Sequence, residues 1–304
     1  MEATRSMVRA IEVWVPRGEV LVQSSGVYRE HVEFERVSAQ STFRRGEGLP
    51  GAVWGTERAL VWRDLGVHFV RAEQAKAAGI DAALAMPVFG DRSLSAVIVF
   101  LMRETLGNPG CVELWDVNAD HRVLEHGGGH YCGCPDFETF SHLIQFPFGT
   151  GLPGGTWAAG KPFVMNDVRR ANTFIRAGLA ARYGLAFGVG LPIRRRGSVT
   201  HVVTFIAAAE RPFLQAFELW EALQGSDGAR LALRAAAEAI AEPAAREAPG
   251  ESLSAEVLAT GVPRVVTVHV PEDAPIEGDA APRLALGIPM VDGAGTRCAA
   301  CLVF

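Results

Sequence analysis

The sequence predicts an α+β protein of three tandem domains, each a small antiparallel sheet with packed helices, and three recurrences predict it. The stretch GEGLPGAVW at residues 46–54 returns as GTGLPGGTW at 149–157 and more faintly as GESLSAEVL at 250–258, 103 and then 101 residues on. A strand-like opening recurs as Ile11-Glu12-Val13-Trp14, Val112-Glu113-Leu114-Trp115 and Phe217-Glu218-Leu219-Trp220. A closing apolar strand after a proline also recurs: Pro87 precedes Val97-Ile98-Val99-Phe100, Pro192 precedes Val202-Val203-Thr204-Phe205, and Pro289 precedes Cys301-Leu302-Val303-Phe304. A period near a hundred residues is too long for a solenoid and suits a small domain. The expected domains are therefore 1–106, 107–211 and 212–304.

In the first copy, Ile11 to Val15 alternate as a half-buried strand does, and the turn Pro16-Arg17-Gly18 leads to a second strand over Val20 to Tyr28. Gly46 and Gly48 supply freedom for a tight turn, and Pro50 suits the first turn of a helix. Trp54, and Trp157 in the second copy, are expected in the core. The segment Leu60 to Asp64 reads as a strand, followed by a helix from about Phe69 to Ala78 with Gly79 at its C-terminus. In the third copy the alanine-rich run from Ala229 to Ala248 has helical propensity; the repeat register assigns Leu231 and Leu233 to a strand, and the remainder is expected to be helix. The run from His269 to Arg283, with three prolines, reads as loop. Linkers of about eleven residues between copies leave either a rod or a closed pseudo-threefold arrangement.

These motifs, taken as a set, resemble the GAF family of sensory domains over nearly the whole chain. GxGLPGxxW is followed by an apolar strand ending in Asp, then by FxRAxxAxxxG, which runs from Phe69 through Arg71 and Ala75 to Gly79 and from Phe174 through Arg176 and Ala180 to Gly184. The resemblance implies a small antiparallel sheet with helices and a ligand pocket walled by the middle segment. The candidate ligand-binding residues are then Trp62, Asp64, Phe69 and Arg71 in the first copy, and Met165, Asp167, Phe174 and Arg176 in the second, with an enclosed cavity near each arginine and none in the third copy. A competing reading of the same residues makes Phe core and has Asp either cap the next helix or pair with Arg across the segment. The resemblance further implies sensing or dimerisation rather than turnover. The leading helices through which GAF domains commonly dimerise are not expected, because the first strand begins almost at once. Free methionine sulfoxide reductases share the GAF fold but rely on cysteines lining the pocket, which the middle segments here lack. The expectation is a non-catalytic protein that binds an unknown small molecule or a protein partner carrying the output; the alternative is an interaction scaffold with vestigial pockets.

Composition narrows the classes. At 49% hydrophobic residues the chain can fill cores of domain size. A net charge of −5 argues against non-specific nucleic-acid binding, and neither a signal segment nor an apolar run of membrane-spanning length is visible, so a cytoplasmic protein is expected. Five cysteines at irregular spacing make no disulfide framework. His126, His130, Cys132 and Cys134 share parity if their run stays extended, which would put four soft ligands on one face; their neighbours along a strand stand far apart for a tetrahedron, and no metal, cofactor or catalytic residue is assigned. Cys298 and Cys301, three apart on a strand, are expected on opposite faces, and Arg194-Arg195-Arg196 reads as a solvated hairpin tip.

Overall fold

The computed structural model describes residues 6–66, 69–90, 93–105, 107–223, 230–238, 249–268, 283–291 and 297–304, and these form three curled antiparallel sheets with helices packed on them. The first sheet has the strands β1 (Val8–Arg17), β2 (Val20–Val27), β3 (Thr42–Arg44), β4 (Leu60–Arg63), β5 (Ala82–Phe89) and β6 (Leu94–Met102), with helices α1 (Val32–Gln40), α2 (Gly48–Thr56) and α3 (Ala72–Ala77) between them. Its spatial order is β3-β2-β1-β6-β5-β4. The second repeats that order with β7 (Gly110–Asn118), β8 (Val123–Tyr131), β9 (Phe146–Pro147), β10 (Phe163–Met165), β11 (Leu185–Arg195) and β12 (Ser198–Ala208), and helices α4 (Pro135–Leu143), α5 (Gly151–Ala159) and α6 (Ala177–Arg182). The third has β13 (Ala216–Leu223), β14 (Arg230–Glu238), helix α7 (Pro249–Thr260), β15 (Arg264–Val268), β16 (Arg283–Val291) and β17 (Arg297–Val303), in the order β14-β13-β17-β16-β15.

Register makes the three sheets equivalent residue by residue. In each, the second strand carries a bulge opposite the step that leads to the opening strand's tryptophan: Ser24 opposite Val13 and Trp14, Gly127 opposite Leu114 and Trp115, and Arg234 opposite Leu219 and Trp220. Across the closing strand, Glu12 pairs with Val99, Glu113 with Thr204 and Glu218 with Cys301. This corrects the expected alignment of the last strand by two residues: Leu302, not Phe304, is the counterpart of Phe100 and Phe205. A shift of two keeps every side chain on its face, so Phe304 still points inward.

The glycine turn is built as its sequence implies. Gly46 and Gly149 adopt φ of +82° and +81°, and their amides bond the carbonyls of Gly51 and Gly154 at 2.7 and 2.9 Å. A Cβ on Gly51 would lie 2.0 Å from the Arg44 carbonyl oxygen, which is why the first turn of the helix must hold a residue lacking one at that position. Trp54 is buried beneath it, whereas Trp157 is only half-buried, a correction. Its ring meets Phe148 edge-on at 5.0 Å and stays partly in solvent. Where Phe148 stands, the first copy has Arg45, stacked over Trp54 at 4.7 Å.

Two further expectations give way. The helix expected from Phe69 begins at Ala72, leaving Phe69 and Arg71 in the preceding turn. The alanine-rich run continues as strand β14 through Glu238, because every residue of it but the bulged Arg234 gains a ladder partner on β13; non-local pairing outweighs propensity. Residues 239–248 and 269–282, on which the remaining helix and the proline-rich loop were expected, lie outside the described residues.

The sheets close on one another rather than forming a rod. Each puts helices on one face and turns the other toward a shared core that joins Ile11, Leu84, Ile98 and Phe100 with Leu114, Val189, Leu191 and Phe205, and with Leu219, Leu286, Ile288 and Phe304. The rings of Phe100, Phe205 and Phe304 meet pairwise at 5.4, 5.7 and 6.0 Å, and the hairpins of Pro87, Pro192 and Pro289 converge on a small, half-open cup of about 50 Å³ at one end of this pseudo-threefold core. Neighbouring sheets also meet at their edges. Val265 N donates to Ser25 Oγ at 3.3 Å, and Arg63 Nε donates to the Gly129 carbonyl at 2.7 Å. The middle glycine of the three in β8 has its reason here: a Cβ on Gly128 would come within 3.1 Å of Val61 in β4.

Candidate functional site

The two middle-segment arginines are fixed from both sides. Arg71 precedes α3 and reaches under the first sheet's helices to the opening strand, where Nη1 and Nη2 donate to Oε1 and Oε2 of Glu12 at 2.5 and 2.9 Å. Ser38 on α1 accepts from Nη1, and Tyr28 Oη and Trp14 Nε1 donate to the same carboxylate at 2.9 and 3.0 Å. In the second sheet Arg176 makes the same fork on Glu113, with Nη2 at 2.8 Å from Oε2 and Nη1 bonding both Oε1 and Ser141 Oγ. Tyr131 Oη and Thr204 Oγ1 each donate to Glu113 at 3.0 Å. Each carboxylate thus receives four hydrogen bonds, which fills its acceptor capacity.

Both clusters are sealed. Arg71 and Arg176 are 2% and 1% exposed, and both glutamates 0%. The guanidinium of Arg71 sits 4.8 to 5.6 Å from the ring centroids of Trp14, Phe34, Phe43 and Phe69; that of Arg176 lies 4.2 to 5.6 Å from Trp115, Phe137, Phe146 and Phe174. Such contacts are favourable for a desolvated cation. Burial by itself would raise the glutamates, but the facing arginine and the donated hydrogen bonds outweigh it: Glu12 is lowered and Glu113 falls to about 2. The same surroundings push the Tyr28 and Tyr131 hydroxyls well up, burial first and the adjacent carboxylate second, so both stay protonated donors.

The space expected for a ligand beside each arginine is therefore occupied by the arginine's own ion pair. The other candidates scatter. Phe69, Phe174 and Met165 are core residues, and Trp62 is half-buried against the helix-side core of the first sheet. Asp64 is exposed, at φ +56°, and accepts from Gly66 N within its own turn. Asp167 pairs with Arg169 at 2.8 Å and with Arg170 at 3.7 Å. Neither aspartate partners the middle-segment arginine; the partner that sequence reasoning missed is the glutamate of the opening strand. A signal was available: a charge that recurs with an apolar strand in both copies needs a counter-charge, and the recurring arginine supplies it.

The four soft ligands also separate, since the bulge at Gly127 inverts the alternation of β8. His126 lies on the helix side, its Nε2 2.8 Å from Tyr131 Oη, and Cys134 joins the helix-side core. His130, across from Val112, and Cys132 face the shared core instead. Cys298 and Cys301 occupy opposite faces. Arg195 is ion-paired with Glu57 of the first copy, so the basic hairpin tip partly contacts a neighbour rather than standing wholly in solvent.

No family model matches the chain, and no curated protein does. Among solved structures it is similar to the GAF domain of A. aeolicus NLH2 in an inactive state, at 17% identity and TM-score 0.27, over 33% of this chain and 60% of that one. It is also similar to the free methionine-R-sulfoxide reductase of Neisseria meningitidis, at 19% and 0.26, over 33% and 52%. A third is the GAF domain of a phosphoenolpyruvate-protein phosphotransferase from Coxiella burnetii, at 14% and 0.28, over 33% and 56%. Each likeness spans only part of those chains and about a third of this one, the length of one sheet with its helices.

Proposed function

We propose that the protein is a non-catalytic regulatory scaffold of three tandem GAF-like domains, 1–106, 107–211 and 212–304, acting by interaction with a protein partner that carries the output. The observation that supports this reading most is the pair of sealed clusters: the place where a GAF-like domain would hold a small molecule is filled by Arg71 on Glu12 and by Arg176 on Glu113. A ligand entering there would have to break a desolvated, fully hydrogen-bonded ion pair, and uncovering one buried partner costs about 3–5 kcal/mol. Catalysis by pocket cysteines is disfavoured on similar grounds. All five cysteines are buried, and burial pushes the Cys132, Cys134 and Cys301 thiols up to about 12, away from the thiolate a nucleophile needs.

Native mass spectrometry of freshly purified protein, with thermal shifts against a metabolite panel and turnover assays on free methionine sulfoxide, tests the proposal. A clean unliganded mass, no shift and no turnover are expected. A stoichiometric small molecule displaced by Arg71→Lys or Arg176→Lys would restore the sensor reading.

A further inference from the structure

We propose that Glu104, His130 and Cys132 form a site for a divalent transition metal of zinc's class at the junction of the first and second sheets. The ligands come from two segments: Glu104 lies just past the end of β6, in the connection to β7, while His130 and Cys132 lie at the end of β8. His130 Nε2 and Cys132 Sγ are 3.5 Å apart. A tetrahedral zinc with ordinary bonds to sulfur and imidazole holds two such atoms about 3.6 Å apart, so this edge is already formed. The ligand atoms of all three residues lie within 4.8 Å of one another. Glu104 is exposed and can swing the remaining distance; its Oε1 is now held on the same turn by Gly133 N at 3.2 Å.

Two further observations fit. The Arg103 carbonyl oxygen lies 3.3 Å from His130 Nε2 and 3.6 Å from Cys132 Sγ, so both ligand atoms aim at one point, and a cation there would replace the protons they now direct at it. The Thr105 hydroxyl is buried with no hydrogen-bond partner among the described residues and neighbours the Cys132 thiol, placed to donate to a metal-bound thiolate as outer-shell groups do. Sulfur, imidazole and carboxylate together suit zinc, and three protein ligands leave a fourth position for water. In the first copy Val27 and Arg29 stand at the corresponding positions, so the site belongs to the second sheet. Metal there would clamp the connection between two sheets onto β8.

The test is titration of the chelator-stripped full chain with cobalt(II), followed by zinc. One cobalt per chain is expected, with a sulfur-to-cobalt charge-transfer band and intense visible bands of a four-coordinate ion, both abolished by zinc. Cys132→Ser should remove the charge-transfer band. Glu104→Gln, at an exposed position and checked for folding by circular dichroism, should weaken cobalt binding by about tenfold or more. A folded wild type without the band, a band that survives Cys132→Ser, or undiminished binding by Glu104→Gln would overturn the assignment.

Discussion

In the first sheet the fourth hydrogen bond to the buried carboxylate comes from the Trp14 indole; in the second it comes from the Thr204 hydroxyl, and the Trp115 indole N–H is buried without a partner among the described residues. Thr204 has Val99 as its counterpart in the first sheet, so the two copies supply the same bond from different strands. What is common to both is not one residue but one requirement: a desolvated carboxylate must have its acceptors filled. The third sheet shows how the requirement relaxes. Glu218 is half-buried, takes a bond from Trp220 Nε1 at 2.8 Å, and faces Cys301 across the strands. Among the described residues Trp220 is the one side-chain donor to Glu218, and the half-buried carboxylate is open to water.

The sharpest way to break this comparison is to remove a cation. Arg71→Met and Arg176→Met should each cost about 3–5 kcal/mol in chemical denaturation, because a buried glutamate is left uncompensated. The matched pair Glu113→Leu with Arg176→Met should recover most of that loss; a single variant costing under about 1 kcal/mol would show the clusters to be hydrated. The two motif tryptophans should differ next. Trp54→Ala should cost about 3–5 kcal/mol as a core truncation, and Trp157→Ala, half in water, about half as much. Equal losses would remove the distinction drawn between Arg45 over Trp54 and Phe148 beside Trp157.

Acid comes third. Glu12 and Glu113 have folded pKa values below their ordinary 4.5, Glu113 near 2. A depressed carboxylate contributes stability that is complete above its unfolded value and lost as pH falls toward its folded one. The melting temperature should therefore drop between pH 4.5 and 2, and drop less steeply in the Glu113→Leu, Arg176→Met double variant; parallel curves would contradict the sign. The smallest expected effect is Thr204→Val, at about 1.5 kcal/mol for a bond to a charged acceptor. Val99→Thr in the first sheet should bring no gain, since the Glu12 carboxylate is already full.

Much of the fold was legible because it is local or periodic. The three tryptophans reach the same bulge, the glycine turn takes its conformation from residues within five positions, and strand alternation places Cys298 and Cys301 on opposite faces. Of the site, the arginines were legible and their role was not. Arg71 and Glu12 are 59 residues apart, and Arg176 and Glu113 are 63, so no window of sequence shows that they meet. His126 and His130 were misplaced for a related reason: one bulged residue, Gly127, inverts parity, and the bulge arises from pairing with β7.

The amino-acid order by itself determined the period, the opening and closing strands, the turn and the recurring charges, because each depends on neighbours a few positions away. Only the tertiary structure decided that the sheets close about Phe100, Phe205 and Phe304, that an alanine-rich run becomes a strand, and that an ion pair fills the place expected for a ligand. Those outcomes depend on which surfaces lose water together. Burial joins residues far apart in the chain: for the sheets and the alanine-rich strand, non-local pairing and the apolar area taken out of water outweigh local preference, and for the ion pair the facing charges and hydrogen bonds offset the cost of desolvation.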